Sequence, residues 1–315
     1  MSDLIAVDLG GTSIRVARFS ADGPPPLAQV KTPTQASEGP EAVVRRIIQT
    51  IERILPAGAT DLRIGVGAPG PLDPRRGIIL EAPNLPGWTN FPLRDMLQQH
   101  FGLPVAVGND ANLAALGEWR FGAGRGTQDL LYLTISTGIG GGVITDGRLL
   151  IGANGLAAEL GHMTVDPNGP LCGCGLRGHL EAVASGPAIA RRARELIESG
   201  RPSTLTAQIE PDGGLTAEAV GEAARLGDPL AREVLAEAGE AIGRHLASLV
   251  HAFNPEIIVL GGGVTHVGPL LFEPIERALR AGVLHPAYLQ SLRLVPAALG
   301  DDAGLIGAMV LESQL

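Results

Sequence analysis

The β-rich run Leu4-Ile5-Ala6-Val7-Asp8-Leu9 halts at Gly10-Gly11-Thr12 and resumes as a second strand from Ser13 to Phe19. Two strands joined by a Gly-Gly turn make a β-hairpin. The pattern returns near residue 130, with a strand from Leu130 to Ser136, a glycine loop from Thr137 to Gly142 and a strand from Val143 to Thr145. This reads as an internal duplication, although a glycine-rich chain also repeats such hairpins by chance. Between the copies lie a helix from about Glu38 to Leu55, a strand from Leu62 to Ala68 and a proline-rich loop from Pro69 to Asp73. A short strand, Val105-Ala106-Val107, then runs through Gly108-Asn109-Asp110 into a helix from Ala111 to about Trp119.

Later segments continue the alternation. Helices are expected over Ser185 to Ser199 and Thr216 to Leu226, and Leu235, Ala238, Ile242, Leu246, Leu249, Val250 and Phe253 form one apolar helical face. Asn254-Pro255 stops that helix, and Glu256 to Leu260 is a buried strand ending in Gly261-Gly262-Gly263. The last helix, from Asp302 to about Leu311, carries Gly304, Gly307 and Ala308, small enough for close approach to another backbone. Alternating strands and helices mark an α/β fold. With 315 residues, 45% of them apolar, the chain can bury large cores and is expected to form two lobes sharing a cleft. The boundary is placed at 110, with an N-terminal lobe of residues 1–110, the helix 301–315 packing back on it, and a C-terminal lobe of residues 111–300.

The balance of 24 basic against 33 acidic residues argues against nucleic acid or an anionic membrane as a partner. Met1-Ser2-Asp3 leads directly into strand, and no segment approaches the roughly 20 apolar residues that span a bilayer. A soluble cytoplasmic protein is expected.

Two cysteines, Cys172 and Cys174, sit one residue apart between His162 and His179, with Glu159 and Glu181 flanking the run. Thiolate and imidazole are the ligands zinc prefers, and four of them complete the tetrahedral shell of a structural site. The competing reading is two small buried residues and two ordinary polar histidines. Zinc is favoured, because Cys-x-Cys between histidines at loop spacing is specific even without a second cysteine pair.

The glycine turns at Gly10-Gly11, Gly138 to Gly142 and Gly261 to Gly263 each follow an apolar strand. Without a Cβ the backbone can approach an anion, and successive N–H groups can surround its oxygens. Each turn alone reads more readily as a tight connection, but Thr12 and Thr137 add hydroxyl donors toward phosphate. Neither a Gly-x-x-x-x-Gly-Lys-Ser/Thr loop nor a helix-opening Gly-x-Gly-x-x-Gly after the first strand occurs, which removes the P-loop and Rossmann readings.

Phosphoryl transfer to an alcohol needs a group to take the hydroxyl proton, a metal on the phosphates and a dry site. Asp110, at a strand-to-helix junction beside Asn109, is the best-placed base. An Asp there is also a routine helix N-cap, and position alone favours the cap. Asp8 is similarly either a turn residue or a carboxylate aimed at Mg²⁺.

The segments Asp8-Leu-Gly-Gly-Thr12, Gly67-Ala-Pro-Gly-Pro-Leu-Asp73, Asn84-Leu-Pro-Gly-Trp88, Asn109-Asp-Ala-Asn112, Thr137-Gly-Ile-Gly-Gly-Gly142 and Glu159-Leu-Gly-His162, with the cysteine run, together resemble the ROK family of sugar kinases and repressors. The resemblance spans the chain. It implies an actin-like ATPase fold of the hexokinase type, two α/β lobes with an interlobe cleft closing over ATP, Mg²⁺ and a hexose. Matched position by position, Asp110 corresponds to the catalytic base and Asp8 to the residue that steers Mg²⁺. Gly10, Gly11 and Thr12 correspond to the first phosphate loop, Thr137 and Gly138 to the second, and Gly262 with Gly263 to the adenosine side. Asn84, Asn109, Asp110, Glu159, His162 and Glu181 correspond to sugar contacts, with Gly70 a further member. Paired polar groups around a pyranose discriminate, because a wrong sugar leaves buried partners unpaired.

The chain departs from the family's pattern where His179 stands for a third cysteine, so the expected zinc ligands are His162, Cys172, Cys174 and His179. The resemblance implies transfer to the 6-hydroxyl of glucose, a place in glycolysis, and a homodimer or homotetramer. Fructose and N-acetylmannosamine are alternative acceptors within the family. A sugar-responsive transcriptional regulator is the alternative of another class, but the first strand begins by Leu4 with no recognition helix before it.

Overall fold

The computed structural model describes residues 3–56, 58, 61–82, 85–209 and 214–311. Its strands and helices, in chain order, are β1 (Leu4–Leu9), β2 (Ser13–Ser20), β3 (Gly23–Pro33), α1 (Pro40–Glu52), β4 (Arg63–Ala68), β5 (Leu72–Asp73), β6 (Ile78–Glu81), β7 (Thr89–Phe91), α2 (Leu93–Phe101), β8 (Val105–Asn109) and α3 (Asp110–Phe121). These are followed by β9 (Leu130–Ile135), β10 (Ile139–Thr145), β11 (Arg148–Leu149), α4 (Leu180–Ala184), α5 (Gly186–Glu198), α6 (Ala217–Arg225) and α7 (Pro229–Phe253). The chain then forms β12 (Ile257–Gly261), α8 (Pro269–Gly282), β13 (Arg293–Pro296) and α9 (Ala303–Val310).

Two five-stranded sheets share one topology, with orders β3-β2-β1-β4-β8 and β11-β10-β9-β12-β13. In the first, β1 pairs antiparallel with β2 and parallel with β4. In the second, β12 lies parallel to both β9 and β13. The repeat seen in the sequence is therefore a repeat of whole sheets, extending beyond the hairpins. A smaller sheet, β5-β6-β7, is antiparallel and pairs Ile79 with Leu72 and Phe91.

Local sequence explains these elements. The central strand β1 buries Ile5, Ala6, Val7 and Leu9, so it reads as a nearly continuous apolar run. The edge strand β3 tolerates Pro24, Pro25 and Pro26, because an edge leaves amide positions outside the ladder. In α1, Pro40 takes the first turn, where its missing N–H costs nothing, and Val43, Val44, Ile47 and Ile51 turn inward. Asp228 caps α7, accepting the Ala231 amide hydrogen at 3.0 Å, and Asn254 ends that helix in the left-handed region at φ 46°.

Two compact units result, one of Met1–Gln128, Gly142–Ala158 and Ala298–Leu315, the other of Asp129–Gly141 and Glu159–Ala297. This moves the boundary drawn at residue 110. The physical reason is α3, which locks to α9 through glycine: a Cβ on Gly307 would overlap the Leu113 carbonyl, and one on Gly117 the Ala303 carbonyl. A Cβ on Gly65 of β4 would likewise overlap the Ala308 carbonyl. The small residues of the last helix therefore serve backbone-to-backbone packing within the first unit.

The second glycine loop is shorter than its sequence suggests. Gly140, Gly141 and Gly142 lie inside β10, leaving Ser136 to Gly138 as the link. A Cβ on Gly141 would meet Leu160 at 2.6 Å, and one on Gly142 would meet Ala115 at 2.5 Å. These glycines create room for neighbouring side chains instead of a phosphate nest.

Candidate functional site

In the first unit, β8 delivers Asn109 and Asp110 to the head of α3. Asn109 is the N-cap: its Oδ1 accepts from the amides of Ala111 at 3.0 Å and Asn112 at 3.2 Å. Asp110 is exposed on the first turn, and its Oδ1 accepts from the Ala111 amide at 2.7 Å. Gly70 and Asn109 meet, since a Cβ on Gly70 would lie 3.0 Å from Asn109 Nδ2. Glycine there keeps the amide of Asn109 accessible. Asn84 lies outside the described residues.

The Gly10-Gly11-Thr12 turn is closed by a Gly10 N–H to Ser13 carbonyl bond of 3.0 Å. Thr34, fully buried, donates its hydroxyl to the Gly10 carbonyl at 2.6 Å and its amide to the Thr12 carbonyl at 2.9 Å. Asp8 faces Arg15 across the hairpin, and both Arg15 Nε and Nη2 donate to Asp8 Oδ2, at 3.0 and 2.7 Å. Arg15 also pairs with Asp302 at 3.2 Å and donates to the Asp301 carbonyl. With Oδ2 held, Oδ1 of Asp8 has no hydrogen bond recorded among the described residues. Neither Thr34 nor Arg15 was singled out from sequence. The hairpin register that places Arg15 opposite Asp8 is the signal that finds the second.

In the second unit, a cavity of about 620 Å³ is lined by Thr137, Pro187, Ala217, Gly263 and Val264 among others. Three helical starts border it: α5 at Gly186, α6 at Ala217 and a 3₁₀ turn at Gly263. The first-turn amides of α5 are already paired, Gly186 N–H with the Ser136 carbonyl at 2.8 Å and Ala188 N–H with Ser185 Oγ at 3.4 Å, so it is the aligned dipoles of α5 and α6 that favour anionic oxygens, while the apolar lining suits a nucleobase. Of the two glycines expected there, Gly263 lines the cavity. Gly262 makes the turn itself, at φ 87° and pressed against the Ile135 backbone. Thr137 lines the cavity as well. Gly138 backs onto Glu181, whose Oε2 a Cβ there would approach to 2.5 Å.

Glu181 is anchored by the Ile139 amide, which donates to its Oε2 at 3.0 Å, and by the Cys172 thiol, 3.4 Å from its Oε1. Glu159 precedes a 3₁₀ turn, Leu160–His162. Its carboxyl is crowded by protein, and this burial raises its pKa, with His162 opposing and the like charge of Glu181 adding.

His162, Cys172, Cys174 and His179 converge, their ligand atoms all within 4.8 Å of one another. Cys172 Sγ lies 3.7 Å from His162 Nδ1, and Cys174 Sγ lies 3.2 Å from His179 Nδ1. A tetrahedral zinc with ordinary Zn–S and Zn–N lengths needs S···N edges of about 3.5 Å, so the four donors fit. Burial pushes the Cys172 thiol up to about 11.

The model of the ROK family matches residues 4–314. This chain belongs to the ROK family. It is 42% identical to a glucokinase of Thermotoga maritima over 97% of its own length and 95% of that protein. A ROK hexokinase from Thermus thermophilus superposes with a TM-score of 0.81 at 40% identity, covering 98% of this chain and 97% of that one. A ROK family glucokinase from Streptomyces griseus, solved with glucose and AMPPNP, gives 0.80 at 37% identity over 98% and 99% of the two chains. The fold is accordingly the actin-like ATPase fold of the hexokinase type. Among the described residues no helix is long and apolar enough to cross a membrane.

Proposed function

We propose that this ROK protein is an ATP-dependent hexose kinase that phosphorylates glucose at its 6-hydroxyl. The observation that carries the reading is the full-length match to glucokinases, with Asp110 standing at the head of α3 while Asn109 serves as its cap. MgATP enters as substrate, with Gly263 proposed for its adenosine and Thr137, Gly138, Gly10, Gly11 and Thr12 proposed for its phosphates. Asp8, oriented by Arg15, would hold the Mg²⁺, which would offset the negative charge of the phosphates. Asp110 removes the proton of the 6-hydroxyl as that oxygen forms its bond to the γ-phosphorus, the bond to the β-bridging oxygen breaks, and ADP leaves. Gly70, Asn84, Asn109, Glu159, His162 and Glu181 hold the remaining sugar hydroxyls.

His162, Cys172, Cys174 and His179 would hold a structural zinc. Bound there, zinc would keep both thiols as thiolates and fix the two imidazoles. His162 would thereby be oriented for the sugar, and His179 would tie the metal loop to Glu181 two residues on. The reading extends to a cytoplasmic homodimer or homotetramer acting in glycolysis, as the resemblance to ROK kinases implies.

The test is sugar phosphate formation, followed by phosphorus NMR, with glucose, fructose and N-acetylmannosamine, each with ATP, GTP and polyphosphate. Glucose with ATP should give the highest kcat/KM. Turnover with none of the sugars would favour the regulator instead, and preference for fructose or N-acetylmannosamine would reassign the acceptor.

A further inference from the structure

Glu118 is a buried carboxylate that the proposed reaction leaves without a task. It lies in the last turn of α3 at 0% exposure. A carboxylate there faces the negative end of the helix dipole and is removed from water, two costs that an apolar side chain would avoid. What offsets them is a set of three backbone amides: Ala123 donates to Oε2 at 2.8 Å, Ala298 to the same oxygen at 3.1 Å, and Leu299 to Oε1 at 2.7 Å. A Cβ on Gly122 would overlap Oε2, so the glycine that ends α3 leaves room for the carboxylate.

Ala298 and Leu299 begin the chain's third passage through the first unit and lead into a 3₁₀ turn, Gly300–Asp302. The Leu299 carbonyl accepts the Asp302 amide at 3.1 Å. The turn then holds Arg15, whose Nη1 pairs with Asp302 Oδ1 at 3.2 Å and whose Nη2 donates to the Asp301 carbonyl. From Arg15 the line continues through Nε and Nη2 to Asp8 Oδ2, at 3.0 and 2.7 Å. Glu118 and Asp8 are thus joined by successive hydrogen bonds inside one unit. The Asp302 side chain is 57% exposed, and an ion pair open to water fixes little by itself. The aim of Arg15 therefore depends on where the backbone of the 301–302 turn is held, and Glu118 holds it.

We propose that Glu118 is a positioning residue for Asp8: by fixing the Ala298 and Leu299 amides it anchors the turn of Asp301 and Asp302, and through Arg15 it sets the orientation of the Asp8 carboxylate. The inference rests on the reading that Asp8 holds the Mg²⁺ of MgATP.

The experiment measures equilibrium binding of AMPPNP by calorimetry, with Mg²⁺ and with EDTA, and of glucose as control. The full-length variants are Glu118→Gln, Arg15→Ala, the two combined, and Asp8→Asn as reference. Gln keeps the size of Glu but replaces one acceptor oxygen with a donor, so in either orientation Ala298 or Leu299 loses its partner. Glu118→Gln should weaken binding of AMPPNP with Mg²⁺ about tenfold while leaving glucose and metal-free AMPPNP unchanged. In the Arg15→Ala background, where the line is already cut, the same substitution should change the affinity less than about twofold. An unchanged affinity in Glu118→Gln, an equal loss in EDTA, or the same loss in the Arg15→Ala background overturns the proposal. Should Glu118→Gln fail to fold, Glu118→Asp takes its place, since it withdraws the carboxylate from the amides by one methylene, with the same expected and overturning results. An Asp8→Asn variant with unaltered Mg²⁺ dependence overturns the metal assignment itself and this inference with it. A loss there beside an unchanged Glu118→Gln overturns only the role of Glu118.

Discussion

Asn109 relieves Asp110 of capping α3. Its Oδ1 serves the amides of Ala111 and Asn112, and Asp110 adds a second acceptor to an amide that Asn109 already satisfies. Position alone favoured a capping Asp110, and the adjacent residue takes that duty. The division is testable by stability alone. Asn109→Ala should lower the free energy of unfolding by about 1 kcal/mol, as for other lost N-caps, whereas Asp110→Ala should change it by less than about 0.5 kcal/mol. Urea unfolding followed by circular dichroism reads both, and the reverse order would return the cap to Asp110.

The cluster of His162, Cys172, Cys174 and His179 predicts a composition. Protein purified without chelator should carry about one zinc per chain by elemental analysis, and Cys172→Ser or His179→Ala should lose most of it. His179→Cys, which recreates the three-cysteine pattern, should retain it. Zinc-free protein with full activity would remove the site.

Asp228 predicts a pH dependence. Burial would raise its pKa, but hydrogen bonds from the Ala231 amide, the Thr204 hydroxyl and amide, and the Ser203 hydroxyl outweigh that and hold it at about 2, below the ordinary 3.8. A depressed carboxyl stabilises the folded state fully above its unfolded value and loses that contribution as pH falls toward the folded one. The wild type should therefore lose roughly 2 kcal/mol from this group between about pH 4 and pH 2. Asp228→Asn should be weaker at neutral pH and flatter across that window, as judged by urea midpoints at each pH.

Two glycines of α9 should respond oppositely to alanine. A methyl on Gly307 has nowhere to go against the Leu113 carbonyl, so Gly307→Ala should cost about 1 to 3 kcal/mol. The nearest atom to a Cβ on Gly304 is Asp8 Oδ1 at 4.0 Å, so Gly304→Ala should be neutral or stabilising by up to about 1 kcal/mol. Unfolding midpoints that shift alike would contradict the packing described.

The hairpin of β1 and β2, the helix stop at Asn254 and the close-packing last helix were legible because each rests on local chemistry: an apolar run, a turn residue, a row of small side chains. The length of the second glycine loop was not. Sequence cannot separate a glycine needed for its backbone angles, such as Gly262, from one needed for space, such as Gly141 against Leu160. The boundary at residue 110 moved because the chain enters the first unit three times, and only packing between distant segments reveals this. The convergence of His162, Cys172, Cys174 and His179 carried its own signal in residue type and spacing. Thr34 and Arg15 did not, because each acts through a backbone or side chain that the fold brings to it.

In the proposed reaction Asp110 takes the proton of a glucose hydroxyl while γ-phosphate is transferred from ATP. The most direct measurement is glucose 6-phosphate formation by wild type and Asp110→Asn side by side, followed by phosphorus NMR. Wild type should form glucose 6-phosphate, and the folded variant should be slower by about 10² to 10⁴ with glucose binding retained. A variant within a few-fold of the wild-type rate, or a wild type that forms no glucose 6-phosphate, would contradict it.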